Sequence, residues 1–500
     1  MNKVLLLGAT ALVAASIVSA PAFAGGRGKA AASDAEIQDL KARLDALEAQ
    51  LADERIVNNT RIGRLEQVTD AVQWSFNELR PSIRSGDGRF ELAFRGRFMF
   101  DLASFEQDPF DFGSGYGAVG NCQGTNVLCD QGSGGVFRRV RFGVEGKFFK
   151  DFIFELRFDF GGSGIEGAGV VNIARVGYIG IPGLRIHVGA IQPVMTLYDA
   201  TSSADLTTME RAAVITTLVG NFGGDNARRG IEATYQKENF LWDGDNFVIS
   251  AAYTGERVAN GDHTGIPGND ESTNVLGRLA YRLYSDGTNN IQVGGTFSQV
   301  LNQDDNTFRL RERPEIRITG DRFIDTGNMT GESAQAYGGE FGMNIENFYL
   351  AAEYYEFSVE RFVNGDAEFN GYYVEGEWIF TGENKRYAAA ATNNNVAVFR
   401  GPSVASPWSL GGGTGAWSLH GRHSVLDLNH NEGVFGAATP VGGVRGGKQT
   451  INNVGLTWYM NSNLKMMGEY SMVEIERLNG AGASLDADFD IIQGRVMFTF

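Results

Sequence analysis

The final stretch of the chain, Asp488 to Phe500, reads DFDIIQGRVMFTF and alternates along its length. Ile492, Gly494, Val496, Phe498 and Phe500 fall on one face of an extended strand, with Gln493, Arg495, Met497 and Thr499 on the other. One side is apolar and the other polar, and an aromatic at the last position leaves nothing downstream to cover the apolar side. Elsewhere the chain holds no run of about twenty apolar residues, so no transmembrane helix is expected. If such a chain enters a membrane, it does so as a barrel, because a closed sheet is the other fold that satisfies every backbone group there.

The amino terminus has the parts of a secretory leader. Lys3 is followed by an apolar core from Val4 to Ile17 and by Ala22-Phe23-Ala24, so residues 1–24 are expected to be a signal peptide. With 67 Gly, 10 Pro, 2 Cys and a net charge of −17, the composition suits an exported barrel with polar loops and lumen, and speaks against nucleic acid as a partner. Cys122 and Cys129 share one Gly-rich loop; in an oxidising compartment they are disulfide candidates, and without nearby histidine no metal site is expected. Nothing in the pattern calls for a cofactor.

From Ser33 the period changes. Ile37, Leu40, Leu44, Leu47 and Leu51 are spaced by three and four, and the register passes through Glu54, Asn58 and Arg61 to Leu65, Val68 and Val72. This seam predicts a coiled coil over residues 33–75, about 50 Å of helix, with 76–88 as a linker and the barrel domain over 89–500. A parallel coiled coil implies oligomerisation, with the stalk in the periplasm, peptidoglycan being a further partner within its reach.

Beyond the linker, alternation recurs. Phe90, Leu92, Phe94, Phe98, Phe100 and Leu102 oppose Glu91, Ala93, Arg95, Arg97, Met99 and Asp101, and no helices follow to cover so much aromatic surface, which makes lipid the simpler partner. Counting such segments predicts an all-β fold, a 16-stranded antiparallel transmembrane β-barrel preceded by an N-terminal α-helical coiled coil. The Arg309–Ile318 stretch also alternates but is assigned to a long outer loop, since a further strand would make the count odd. Two connections are long: 193–226, expected to fold inward, and 382–414, on the side of the short turns.

Several segments resemble the phosphate-selective porin O and P family: RRVRFGVEGKFFKDFIFELRFDF, LRIHVGAIQPVMTLYDATSSADLTTMER, RLRERPEIRITGDRFIDTG and SPWSLGGGTGAWSLHGRHSVLDL. The resemblance implies a trimeric barrel in the bacterial outer membrane, in some members passing phosphate or pyrophosphate along arginines and lysines. Inward alternation nominates Arg95, Arg97, Arg139, Arg141, Arg157, Arg185, Arg228 and Arg495 as pore-lining contacts for such anions. Inward Glu340, Glu353, Glu375 and Glu377 predict an acidic wall opposite, and the long loop sets Asp199, Asp205 and Glu210 against Arg211 without a lysine, a departure from a phosphate-selective constriction.

The expected function is thus passive diffusion of small hydrophilic solutes, with phosphate-like anions leading. A weakly selective general porin is one alternative, since inward acids can pair with the arginines; an envelope tether acting through the coiled coil is another. Ser418 and His420 share a strand face, but a lumenal Ser-x-His has no access to lipid, and no enzyme activity is expected.

Overall fold

The structure, a computed structural model, describes residues 34–69, 72–77, 79–107, 131–162, 170–225, 227–258, 270–391 and 393–500. The leader expected at 1–24 and both cysteines lie outside the described residues. The chain divides into two compact units, Met1–Ala71 and Val72–Phe500.

Among its described residues the first unit is one helix, Asp34–Thr69, of 36 residues. Its Leu40, Leu44, Leu47 and Leu51 are 54–63% exposed in the single chain. No helix among the described residues is long and apolar enough to cross a membrane. The helix stops short of residue 75, where the seam was expected to end. Residues 73–77 pair instead with 80–84 in a hairpin, which corrects both the helix boundary and the reading of 76–88 as a plain linker. The reason lies in the sequence: Trp74 and Phe76, then Pro81 and Ile83, repeat with period two, a pattern suited to strand rather than helix.

In the second unit sixteen antiparallel strands close into a barrel. The first eight are Glu91–Glu106, Gly134–Phe148, Phe152–Asp159, Val170–Tyr178, Leu184–Ile191, Arg228–Glu238, Asn246–Arg257 and Thr273–Ser285. The second eight are Asn290–Asn302, Met329–Ile345, Phe348–Arg361, Ala367–Trp378, Ala416–His430, Val444–Tyr459, Leu464–Glu476 and Ala487–Thr499. Each predicted strand is present. Arg309–Ile318 stays in a loop, contributing only the short piece Arg311–Glu312, which pairs with Ile324–Asp325 away from the wall.

Short turns such as 149–151, 286–289 and 346–347 gather at one end of the barrel, and long loops such as 303–328 and 431–443 at the other. In the turn 286–289 the Asp286 carboxylate accepts the Asn289 and Thr288 N–H groups at 2.7 and 2.9 Å, which holds its pKa down to about 2. A depressed carboxylate supports the turn above the ordinary carboxylate range and loses that contribution as pH falls through about 2.

Lumen-facing side chains do not all meet water. Loop 193–226, with its helices Leu197–Ala200 and Ala213–Asn221, folds inside the barrel and buries Leu197, Tyr198, Val214, Ile215, Leu218 and Phe222 against Tyr355, Phe357, Phe369 and Tyr373 of the wall. The connection 382–414 enters from the opposite end. Arg278 holds it there, donating to the carbonyls of Val396 and Ala397 at 3.1 and 2.9 Å while its guanidinium pairs with Glu340 at 2.7 Å. These two segments place an apolar core within one side of the lumen, and the free space is left on the other.

Closure falls to the first and last strands, which run antiparallel from Asp490 opposite Glu106 to Thr499 opposite Arg97. The final pair of backbone bonds joins Gly96 and Phe500, at 3.0 and 3.1 Å. A Cβ at residue 96 would run into the Phe500 ring, so the aromatic end of the chain seats because Gly96 is bare. Gly96→Val should therefore cost about 1–3 kcal/mol and lower the urea midpoint of the folded, heat-modifiable band on gels, as should deletion of Phe500; a wild-type midpoint in both would refute this account of the seam.

Candidate functional site

The free space begins as a cavity of about 470 Å³ toward the short-turn end. Among the described residues six arginines border it, Arg80, Arg95, Arg97, Arg141, Arg157 and Arg400, against two side-chain carboxylates, Glu91 and Asp205, so its field is positive. A narrower space of about 30 Å³ adjoins it, room for about two waters, walled by Arg95, Arg97, Arg139, Arg141, Arg157 and Arg211 with no side-chain carboxylate among the described residues. On the remaining side stand polar neutral groups, including Gln192, Thr201, Ser202, Ser203 and Asn395.

Strand pairing brings the arginines together. Arg97 lies opposite Arg141 between the first and second strands, and Arg141 opposite Asp159 between the second and third. The resulting pairs differ in how far they are neutralised. Arg141 binds Asp159 at 2.6 Å, Arg157 meets Glu155 at 3.2 Å and Asn172 at 2.7 Å, and Arg95 binds Glu145 at 2.6 Å. Arg97 instead donates to two hydroxyls of the inward loop, Ser203 at 2.5 Å and Ser202 at 2.8 Å. A neutral hydroxyl leaves the guanidinium charge uncompensated, and an anion offering charge-assisted bonds can replace it.

The other nominated arginines have different surroundings. Arg185 pairs with Glu232 at 3.1 Å and donates to the Ala391 carbonyl at 2.7 Å, pinning the inserted connection. Arg228 donates to the carbonyls of Gly220 and Gly224 at 3.0 and 2.8 Å, at the end of helix Ala213–Asn221. Arg495 is clamped by Asp101 and Glu210, both at 2.6 Å. Arg139 is buried beside Met99, 3.9 Å from Glu210.

Glu210 is the hub of this second cluster. Besides Arg495 it takes Arg138 at 2.8 Å and faces Arg139 and Arg317 at 3.9 Å. Alternation alone would send Arg138 outward. A bulge in the second strand reverses it: Met99 pairs with Arg139 and Phe100 with Phe137, so Arg138 is the extra residue and turns into the lumen. Four arginines from two strands and a loop thus converge on one carboxylate of the inward loop, 6% exposed.

The expected acidic wall is present in the strands but covered. Glu340 is spent on Arg278, Glu377 on Lys385 at 2.8 Å, and Glu353 accepts from Tyr355 and Tyr373 and from the Tyr198 N–H. Glu375 is 1% exposed. The carboxylates face the inserted segments rather than the open space, because those segments pack on that side. Ser418 donates to Glu377 at 2.7 Å, and His420 contacts Glu469 at 3.1 Å, so each is engaged with a separate acid. Arg175, Arg278 and Arg422 fall on the lumenal parity of their strands and could have been nominated from it; Arg80 falls on the cavity-facing parity of the strand Arg80–Arg84, which the linker reading hid, and Arg400 ends the short strand Val398–Arg400 within the inserted connection.

Removing one partner from a buried ionic cluster leaves charge unmatched, at about 3–5 kcal/mol. Glu210→Ala should lower the thermal midpoint of the detergent-solubilised barrel and make loop 193–226 accessible to protease; unchanged stability and resistance would show that the cluster does not hold the loop.

Residues 114–500 match the family model described as phosphate-selective porin O and P. A protein of Caulobacter vibrioides described as uncharacterised is 26% identical over 427 residues, covering 82% of this chain and 76% of that protein. Porin O of Pseudomonas aeruginosa is 22% identical over 374 residues, 70% of this chain and 79% of that one. Among solved structures, an anion-selective porin from Comamonas acidovorans is similar with a TM-score of 0.47 at 12% identity, covering 82% of this chain and 100% of that one. Outer-membrane OmpT of Vibrio cholerae gives 0.46 at 12%, covering 82% and 98%. The chain, a sixteen-stranded barrel whose sequence matches the family model over most of its length, belongs to the phosphate-selective porin O and P family and is an outer-membrane porin.

Proposed function

We propose that this porin passes small hydrophilic solutes with a preference for phosphate-like anions, along the surface formed by Arg95, Arg97, Arg139, Arg141 and Arg157. The observation that carries this reading is Arg97. Among the described residues its guanidinium hydrogen-bonds hydroxyls alone, so it is a cation able to exchange neutral bonds for those of an oxyanion. Space for about two waters means that an anion sheds most of its hydration there, where Coulomb terms exceed those in bulk water. Arg185, Arg228 and Arg495 act as fasteners of the lumenal segments in this reading, and affect selectivity through the shape they maintain.

A weakly selective porin is the second reading, favoured by the ion pairs of Arg95, Arg141 and Arg157 with lumenal carboxylates. In both readings the helix Asp34–Thr69 associates with its counterparts through its leucine seam as a periplasmic coiled coil, supporting a trimer; the exposure of Leu40, Leu44, Leu47 and Leu51 in one chain is what favours this. A tether role is separable by deletion of 33–69: a porin should still conduct, whereas a tether should lose its envelope phenotype with conductance intact.

Reversal potentials in planar bilayers under a salt gradient test the proposal. The native channel should prefer chloride over potassium, and millimolar phosphate should block chloride current. The double variant Arg97→Ala, Arg141→Ala should lower the anion permeability ratio by roughly tenfold, about 1.4 kcal/mol. Cation preference in the native channel, or unchanged selectivity in the variant, would rule the proposal out.

A further inference from the structure

The hairpin ahead of the barrel is built into the wall. Its second strand pairs with the first barrel strand, Ser82 opposite Ala93, Ile83 opposite Leu92 and Arg84 opposite Glu91. On the same strand, the last strand's ladder ends with Thr499 opposite Arg97. The hairpin thus takes up the edge that the C-terminus leaves unpaired. Its two faces keep the barrel's inside and outside. Trp74 and Phe76 are 66% and 72% exposed, while Ser75, Ser82 and Arg80 border the large cavity.

Arg80 reaches the Glu145 carboxylate, whose second oxygen accepts from Arg95 at 2.6 Å. It also lines an adjoining cavity of about 240 Å³ in which three cations, Arg80, Lys147 and Arg175, face three carboxylates, Glu91, Glu145 and Glu155. That balance depends on Arg80: without it the described lining of this smaller cavity carries a net negative charge, next to the arginine-rich space an anion would enter or leave. In outer-membrane barrels the short-turn end is the periplasmic one.

We infer that the hairpin 73–84 is part of the channel wall and that Arg80 is a selectivity residue at its periplasmic mouth, cancelling the Glu145 charge so that oxyanions such as phosphate can pass between the periplasm and the arginine surface. This rests on the anion reading above and adds a direction to it. Arg97 and Arg141 act on anions from either side, whereas Arg80 acts on those crossing the periplasmic mouth. Because the hairpin's charge borders an open cavity, the effect is screened by salt.

The test measures block of chloride current by inorganic phosphate added to each side of oriented single channels at low salt. Arg80→Gln should weaken block from the periplasmic side by about two- to fivefold, the size of one charge acting through a watery gap, and leave block from the long-loop side unchanged. Arg80→Lys should restore it. Ser75→Glu places a negative charge on the same face without removing any ion pair, and should act in the same direction even if Arg80→Gln assembles poorly. Symmetric, native-like block in Arg80→Gln and Ser75→Glu, with block lost in Arg97→Ala, Arg141→Ala, would overturn the role of the hairpin while leaving the anion reading intact. No phosphate block of the native channel from either side would overturn both.

Discussion

A backbone amide in hydrocarbon has no water to bond, so a membrane barrel depends on the seam where its first strand meets its last. Here that seam runs from Asp490 opposite Glu106 to Thr499 opposite Arg97, and the hairpin continues it over Ala93, Leu92 and Glu91. Closure fixes more than the sheet. It sets Arg495 against Asp101, and with that pair in place Glu210 of the inward loop finds both Arg495 and Arg138 within reach. The seam therefore also anchors the loop that narrows the lumen.

Once the register is set, each strand delivers alternate residues to the lumen, and the electrostatics follow from what stands opposite. Where an arginine is bound both by a carboxylate and by a group of an inserted segment, it becomes a fastener, as with Arg185, Arg278 and Arg495. Where hydroxyls stand opposite, as for Arg97, the charge stays available. Insertion of 193–226 and 382–414 into one side of the lumen sorts the two cases, by covering the acidic strands and leaving the basic ones beside free space.

Much of the fold was legible because alternation with period two survives along the strands, and the parity of a closed barrel kept Arg309–Ile318 out of the wall. Local pattern reached less far where the outcome depends on contacts distant in sequence. Arg138 turns inward through a bulge that only the pairing of Met99 with Arg139 makes visible. Glu340, Glu353, Glu375 and Glu377 lie on the lumenal face that alternation predicts, yet what they face is decided by Arg278 and Lys385 and by loops whose inward course no local pattern encodes. The hairpin 73–84 has its own alternation, in Trp74, Phe76 and Ile83, but it was hidden behind the heptad register that Val72 appeared to continue.

The selectivity proposed for this porin rests on Arg97 and the serines it binds acting as an oxyanion site in the narrowed lumen. Anomalous diffraction from crystals of the full-length porin soaked in arsenate, a phosphate isostere with a usable absorption edge, tests it most directly. An arsenic peak is expected within hydrogen-bond distance of the Arg97 guanidinium, with Ser202 or Ser203 displaced from it. Arsenate absent from the lumen at full soak, with the Arg97–serine bonds intact, would contradict it.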